Sequence, residues 1–339
     1  MALTKAQIAS CATEFGFNRI RFAKAGPNVA LTEYDRFLAN GFHGDMKWMV
    51  RSRPPRANIR ELLPTLQTVV VLGVDYWHPR PPKPSEGLVG RVSCYAWGRD
   101  YHKIINNKLK KFARKLKELD DAIEGYWTVD SRPVIERGWA EKSGMGFVGK
   151  NTMIISPANS SYFFLATLLL NVSIEADTPI QNDHCGRCTR CLDKCPTDAF
   201  VDAFRLDARK CISYLTIEHK GVIDASLAEK MNDWLFGCDV CQDVCPHNHR
   251  KLLSENPELA PRPKMAWMDL EWLCKSDTER VLERLAGMPL RRTGVERLRR
   301  NAVITLHNEQ TNEANSLLNW LRHNAKETLV QQQLTELGY

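Results

Sequence analysis

Two groups of closely spaced cysteines constrain this chain more than any other feature of its sequence. The first group reads Cys-x2-Cys-x2-Cys-x3-Cys-Pro over residues 185–196, and the second reads Cys-x2-Cys-x3-Cys-Pro over residues 238–246. Gaps of two residues let a tight turn wrap three thiolates around one face of a metal centre, and a later cysteine then closes the site. This is the spacing of metal ligands rather than of a disulfide framework.

The first group has the spacing of bacterial ferredoxins with two 4Fe–4S clusters, in which the fourth cysteine ligates the other cluster. The two groups supply seven of the eight thiolates that two such clusters need. Cys211 lies between the groups in a helix-like stretch and is the best eighth ligand. We therefore predict crossed ligation. Cluster one takes Cys185, Cys188, Cys191 and Cys245, and cluster two takes Cys195, Cys211, Cys238 and Cys241.

Zinc is the alternative metal, because paired Cys-x2-Cys units can bind it tetrahedrally. Zinc sites do not usually need three cysteines at successive gaps of two followed by Cys-Pro, so the clusters are favoured. The other cysteines, Cys11, Cys94 and Cys274, are isolated in the sequence. Cys11 lies on the apolar face of a predicted helix, which places it in the core.

The composition is that of a globular protein with two or three domains. Of the 339 residues, 43% are hydrophobic and 26% are charged, and the formal net charge is +7. A mild basic excess permits a polyanionic partner without demanding one. The N-terminal residues show no basic start followed by an apolar core, so we expect no signal peptide and a cytoplasmic location. The longest apolar run, residues 162–174, is too short to cross a membrane.

Strands and helices alternate over the first half of the chain, which predicts an α/β N-terminal domain of residues 1–177. Its predicted elements are buried strands at 69–76 and 162–174, a loop at 51–64, and an amphipathic helix at 102–119 with a stripe of Ile105, Leu109, Phe112, Leu116 and Leu119. A ferredoxin-like module follows at 178–255. Residues 255–263 carry three prolines and are predicted to be a linker. Residues 264–339 are predicted to be helical.

Several segments together resemble the epoxyqueuosine reductases. They are RVSCYAWGRDYH (91–102), VDSRPVIERGWAEKSGMGFVGKNTMII (129–155), the two cysteine groups, CISYLT (211–216) and GCDVCQDVCPHN (237–248). The resemblance extends over about residues 40 to 310. It implies that the chain reduces epoxyqueuosine to queuosine at the wobble position of tRNA, with electrons passing from two 4Fe–4S clusters to cobalamin. It also implies a reductive-dehalogenase-like cobalamin-binding domain and a helical, HEAT-like C-terminal region.

The resemblance carries specific roles to residues of this chain. It makes Asp130 the proton donor, a role that suits the loss of an epoxide oxygen; from the residues alone, Asp130 would be a cap. Asp100, Tyr101 and His102 match a pocket motif and would face substrate or cobalt, although Asp100 could also cap the following helix. Cys94 departs from the family pattern, in which arginine is common at that place. The implied cobalamin contacts are Arg56, Ser93, Asp130, Ile154, Leu165, Ser213 and Asp239.

The expected partners are a tRNA bearing epoxyqueuosine in its anticodon and an external electron donor, with no membrane, and the chain is expected to be a monomer. A tRNA needs a cationic surface for its phosphates and a pocket for a splayed base. The helix at 102–119, with seven Lys and Arg, is one candidate surface. A second is the cluster of Arg291, Arg292, Arg297, Arg299 and Arg300.

Two other functions compete with this interpretation. A reductive-dehalogenase-like enzyme acting on a small molecule would use the same cofactors, but such enzymes are typically exported. A ferredoxin-type electron carrier would need only the cysteine module. The size of the N-terminal domain argues against the carrier.

Overall fold

The protein is described by a computed structural model that covers residues 3–180 and 184–339. The strands are β1 (Arg19–Lys24), β2 (Thr68–Asp75), β3 (Val89–Val92), β4 (Gly125–Thr128), β5 (Phe147–Val148), β6 (Ile154–Ile155), β7 (Phe163–Leu170), β8 (Phe200–Asp202), β9 (Arg205–Leu206), β10 (Trp234–Phe236) and β11 (Trp267–Asp269). The main sheet has the order β1-β2-β7-β4, and each neighbouring pair is antiparallel.

The helices alternate with these strands and then take over the C-terminal region. They are α1 (Lys5–Glu14), α2 (Leu31–Ala39), α3 (Lys47–Arg51), α4 (Arg53–Ala57), α5 (Tyr101–Leu119), α6 (Glu136–Lys142), α7 (Arg190–Asp193), α8 (Ile212–Ile217), α9 (Ala225–Ala228), α10 (Val240–Asp243), α11 (Leu270–Lys275), α12 (Thr278–Arg284), α13 (Val295–Glu309), α14 (Asn312–Asn324) and α15 (Thr328–Glu336). In the part of the chain that the structure describes, no helix combines the length and apolarity that a membrane crossing requires.

The two central strands confirm the buried strands predicted from the sequence. β2 is buried at every position, and β7 is buried at all but Leu165. Their apolar runs are continuous because both faces of the sheet are covered: α5 packs on β4 and β7, and α6 packs on β2 and β7. The sheet therefore forms the middle layer of an α/β structure, as the alternation of elements predicts.

Two local predictions are wrong. Residues 51–64 are not a loop, since α4 lies within them and its prolines occupy the first turn, where a missing N–H costs no helical hydrogen bond. Leu119 is 48% exposed and does not complete the stripe of α5. Ile104, in the first turn of α5, is buried, whereas Leu119 is the last residue of the helix and faces solvent.

A second, three-stranded sheet joins the three predicted domains. β3 from the N-terminal domain lies between β10 from the cysteine module and β11 from the C-terminal region. The region after residue 264 therefore begins with a strand before it becomes helical, and α13 packs against both α14 and α15. The predicted domains 1–177 and 178–255 include residues 1–2 and 181–183, which lie outside the described residues.

The predicted linker at 255–263 is docked on the rest of the fold. Leu259 is buried, and the Arg262 backbone N–H donates to the Trp97 carbonyl at 2.9 Å. A Cβ on Gly98 would come within 2.7 Å of the Leu259 carbonyl oxygen, so glycine permits this close approach. The segment holds the C-terminal region against the N-terminal domain.

Candidate active site

A cavity of about 1030 Å³ opens where the N-terminal domain, the cysteine module and the C-terminal region meet. This volume lies at the upper end of the range for small-molecule sites. Several of the predicted site residues line it. The lining includes Tyr34, Trp48, Tyr95, Tyr101, His102, Asp130, Cys211, Ser213, Phe236, Arg292 and Arg297.

The residues of the Asp-Tyr-His motif and Asp130 meet at one wall of this cavity. Asp100 caps α5, accepting from the His102 backbone N–H at 3.0 Å, and its carboxylate also lies 2.6 Å from His102 Nδ1. His102 Nε2 lies 3.0 Å from Asp130 Oδ2, and the Tyr101 hydroxyl donates to the same oxygen at 2.7 Å. Asp100 is therefore both a helix cap and a partner of the histidine.

These contacts set the charge states of the cluster. Enclosure by the protein lowers the pKa of His102, but the hydrogen bonds to Asp100 and Asp130 raise it by more, and the pKa lies above its ordinary value of 6.5. Enclosure raises the pKa of Asp130 and Asp100, but His102 outweighs it in both, and each pKa lies below its ordinary value. The carboxylates that face the two ring nitrogens favour the protonated imidazole, whereas the charge of Arg292 opposes it.

Tyr101 and Arg292 enclose the histidine on its two sides. The Tyr101 ring stacks on His102 with centroids 3.9 Å apart and on Phe164 at 4.0 Å. Burial, followed by Asp130, raises the pKa of Tyr101 well above its ordinary value, so its hydroxyl keeps its proton. Arg292 Nη1 lies 2.7 Å from both ring nitrogens of His102, and its positive charge lowers the pKa of the Asp130 carboxylate.

Asp130 lies in a loop with an unusual backbone conformation. Its φ is +54°, in the left-handed region that residues other than glycine seldom adopt. The backbone N–H of Asp130 donates to both carboxylate oxygens of Glu136, at 3.1 and 3.0 Å. Burial, followed by the charge of Asp130, raises the pKa of Glu136 to about 8.

Thiols of the two cysteine groups lie close enough to influence one another's pKa. Burial raises the pKa of Cys191 to about 11, with Cys185 and Cys245 adding to the shift, and the pKa of Cys245 is raised by burial and by Cys185 and Cys188. Burial raises the pKa of Cys238 well above its usual range, with Cys211 and Cys195 among its neighbours. Enclosed thiols that disfavour each other's ionisation suit a cationic centre, which deprotonates its ligands.

Cys241 lies near thiols of both predicted sets, and Cys211 lies on the cavity wall. The shift in the pKa of Cys241 includes contributions from Cys238 and Cys211 of its own set and from Cys191 of the other. Cys211 lines the cavity, so the second set adjoins the cavity directly. The first set is approached by the N-terminal domain, where the Lys150 backbone N–H lies 3.5 Å from Cys185 Sγ.

Two family models match parts of this chain, and known proteins match most of it. A family model described as "4Fe-4S double cluster binding domain" matches residues 184–248, and one described as "Epoxyqueuosine reductase QueG, DUF1730" matches residues 56–131. The epoxyqueuosine reductase of Pseudomonas aeruginosa is 38% identical over 87% of this chain and 82% of its own length, and that of Synechocystis is 38% identical over 80% and 93%. The chain belongs to the epoxyqueuosine reductase family.

Solved structures of the family share its fold. A crystal structure of epoxyqueuosine reductase with an epoxyqueuosine-modified tRNA-Tyr stem loop has a TM-score of 0.91, with 29% identity over 99% of this chain and 90% of that one. A Bacillus subtilis epoxyqueuosine reductase, described with the catalytic loop that bears an aspartate swung out of the active site, has a TM-score of 0.88, with the same identity and coverage. The cysteine module of this family member is thus a double 4Fe–4S cluster-binding domain.

The cobalamin contacts expected from the epoxyqueuosine reductases divide between the cavity and the interior. Ser213 and Asp130 line the cavity. Ser93 and Asp239 are each 2% exposed and hydrogen-bond to each other, and Arg80 adds an ion pair to Asp239 at 2.9 Å. Ile154 is buried and Leu165 is half-buried; they are not among the residues that line the cavity.

Arg56 supports the Asp130 loop in this family member. Its Nη1 donates to the Val134 carbonyl at 2.7 Å, and its guanidinium lies over the rings of Tyr34 and Trp48. Both aromatic residues line the cavity, whereas Arg56 is not among the lining residues. Arg56 therefore lies behind the residues that form the cavity wall and contacts two of them, Tyr34 and Trp48.

The proposed cationic cluster at 291–300 is only partly available to a nucleic acid. Arg300 is completely buried, and Arg299 is 7% exposed and bonded to Glu327 and to the carbonyls of Leu273 and Ser276. The expectation that all five arginines form a phosphate surface is therefore wrong. Arg291 and Arg292 remain exposed.

Sequence reasoning gave Arg292 a place only in the cationic cluster and gave Glu136 no role. Arg292 touches His102 across 190 positions of the sequence, and no local pattern signals such a contact. Glu136 could have been noticed, since an acidic residue in the first turn of a predicted helix often accepts nearby backbone N–H groups.

Proposed function

We propose that this protein reduces epoxyqueuosine in tRNA to queuosine, using two 4Fe–4S clusters and cobalamin, with Asp130 and His102 as the proton source. The observation that carries the proposal is the meeting of Asp130, His102 and Cys211 at one cavity. Family membership supports the activity, and the related structure that holds an epoxyqueuosine-modified stem loop supports the substrate.

The cavity fits a large corrinoid cofactor. Trp48, Tyr95 and Phe236 give it aromatic walls, its volume is about 1030 Å³, and Ser213 offers a hydroxyl beside Cys211. Bound cobalamin would supply a reducing cobalt centre beside the epoxide. Cys195, Cys211, Cys238 and Cys241 would hold cluster two between cluster one and the cavity, which gives electrons a short route to the cofactor.

Conversion of the epoxide to the cyclopentene consumes two electrons and two protons and releases the oxygen as water. Residues at the cavity wall would supply one of these protons, and the second would come from solvent. Because the pKa of Asp130 lies below its ordinary value and that of His102 above it, a proton shared between the two groups is favoured on His102. The pair titrates as a unit, and Asp130 Oδ2, bonded to both His102 and Tyr101, relays the proton to the leaving oxygen.

The tRNA would approach the cavity from the side of Arg292. Arg291 and Arg292 are exposed beside the opening, and α5 begins there with Tyr101 and His102 and presents its lysines along its outer face. Cations at these positions would meet phosphates while the modified base enters the cavity.

The experiment is anaerobic turnover of an epoxyqueuosine-containing anticodon stem loop by protein reconstituted with iron, sulfide and cobalamin. Nucleoside mass spectrometry would detect the loss of one oxygen. Asp130→Asn should lower turnover strongly, whereas Asp121→Asn, at an exposed aspartate beyond the end of α5, should not. If the fully loaded wild-type protein failed to convert the stem loop, tRNA would not be the substrate and a small-molecule reductase would be favoured.

A further inference from the structure

The Asp130 loop is held at both ends by side chains outside it. At its start the Asp130 N–H donates to Glu136, and at its end the Val134 carbonyl accepts from Arg56. The Asn28 side chain also donates to the Ile135 carbonyl at 3.1 Å. Hydrogen bonds to side chains of neighbouring elements therefore hold the loop, which contains no helix or strand of its own.

Glu136 is well placed to act as a fixed support. It is the first residue of α6, and the next turn of that helix buries Trp139 and Ala140 against the main sheet. Both carboxylate oxygens lie within 3.1 Å of the Asp130 nitrogen, so the acceptor is shared between them. The carboxylate faces the backbone of Asp130, while the Asp130 side chain faces Tyr101 and His102 on the other side.

The left-handed conformation of Asp130 makes this support necessary. A non-glycine residue persists at positive φ only where its surroundings impose that conformation. If the loop relaxed, the Asp130 carboxylate would turn away from His102. A catalytic loop that bears an aspartate does move in a relative, the Bacillus subtilis enzyme in which it is swung out of the active site.

We propose that Glu136 is a positioning residue, whose carboxyl group, ionised or neutral, accepts the Asp130 backbone N–H and thereby keeps the Asp130 side chain against Tyr101 and His102. This inference rests on the proposed function for its effect on turnover. Its effect on the loop does not depend on any substrate. The substitution Glu136→Gln would retain one oxygen acceptor for the N–H, whereas a residue with no acceptor in reach would release the loop.

The test combines amide exchange with turnover in the holo protein. Hydrogen–deuterium exchange of the peptide that spans residues 129–135 should be slow in the wild type and in Glu136→Gln. It should be fast in Glu136→Ala and in Glu136→Asp, whose carboxylate is one methylene shorter. Glu136→Asp also decides the question if Glu136→Ala fails to fold, and Glu124→Ala, at an exposed glutamate before β4, is the matched control.

Turnover should follow the exchange. Glu136→Ala should lower kcat by up to about a hundredfold, the effect of a misplacement of about 1 Å. KM for the stem loop should be unchanged, and Glu136→Gln should recover kcat to within about threefold of the wild type.

Unchanged exchange in both Glu136→Ala and Glu136→Asp would overturn the proposal. So would equal impairment of Glu136→Gln and Glu136→Ala, which would make the charge, not the hydrogen bond, the important property. If the wild type itself showed no turnover, the proposed function would fail while the exchange result would still decide the role of Glu136.

Discussion

Arg300 offers the sharpest test of how the C-terminal region supports the cysteine module. Its side chain is completely buried in α13 and donates to the carbonyls of Leu215, His219 and Gly221 at 2.6, 3.0 and 2.7 Å. Leu215 lies in α8, which begins directly after the proposed cluster ligand Cys211. Arg300→Met would keep much of the side-chain volume and remove each of these donors.

The loss of folding stability expected for Arg300→Met follows from the carbonyls that it leaves without a hydrogen-bond donor. A buried group that loses its partner costs about 1–3 kcal/mol, and because the Leu215 carbonyl is buried while the other two are half-buried, the three together cost roughly 3 kcal/mol. The gain from no longer enclosing a charge offsets part of any larger sum, because burial lowers the pKa of Arg300 to about 9 and no carboxylate among the described residues pairs with it. We expect a net loss of ~3 kcal/mol, which for a chain of 339 residues is a fall in melting temperature of roughly 4 °C.

The assay is thermal unfolding of the anaerobically reconstituted protein at one scan rate, with iron content measured in parallel, since such unfolding is often irreversible. Arg300→Met should also retain less iron, because α8 directly follows Cys211. Arg291→Met, at an exposed arginine of the same segment, should change stability by no more than about 0.5 kcal/mol. If the two variants melted together, the hydrogen bonds of Arg300 would not support the module.

Three further outcomes are expected. Asp130→Asn should lower single-turnover rates by about 10²–10⁴ while stem-loop affinity stays unchanged, as measured by quenched-flow nucleoside analysis and by a binding titration. Turnover should fall as pH rises through the raised pKa of His102, because the imidazole loses its proton there, and a pH–rate profile of His102→Gln should lack that limb. Cys211→Ser should lower the iron content from about eight to about four atoms per chain, with cluster one retained, as checked by iron analysis and electron paramagnetic resonance.

The cysteine module was the most predictable part of the molecule, because its ligands follow one another at short gaps. Spacing of that kind can be recognised in the sequence without knowledge of the fold. The contacts that influence the pKa of Cys191, Cys245 and Cys238 agree with the predicted sets. Which cysteine ligates which cluster nevertheless stays a prediction, and Cys211→Ser tests it.

The catalytic cluster was only half predictable. Asp100, Tyr101 and His102 are adjacent in sequence, and Asp130 meets them because α5 packs on β4, which leads into the Asp130 loop. The family resemblance supplied these four residues. Glu136 was not predicted, because it accepts a backbone N–H, and the contact of Arg292 with His102 was not predicted, because it depends on where the C-terminal region docks.

The prediction of residues 51–64 failed for a different reason. Two consecutive prolines usually break regular structure, but at the first turn of a helix the proline φ is already helical and the missing N–H has no partner to lose. Composition alone cannot tell these positions apart. This short helix places Arg56 within hydrogen-bond distance of the Val134 carbonyl, behind the cavity wall.

The three-stranded sheet explains why one cavity can collect residues from the whole chain. β3 pairs with β10 on one side and with β11 on the other, so the N-terminal domain, the cysteine module and the C-terminal region share backbone hydrogen bonds. β3 precedes the Asp-Tyr-His motif, β10 ends just before Cys238, and β11 precedes the segment between α12 and α13 that contains Arg292. The proposed proton source, the proposed cluster ligand and Arg292 are thereby fixed relative to one another by a single sheet. The proposed chemistry needs that rigidity, because electrons and protons must reach the same small group.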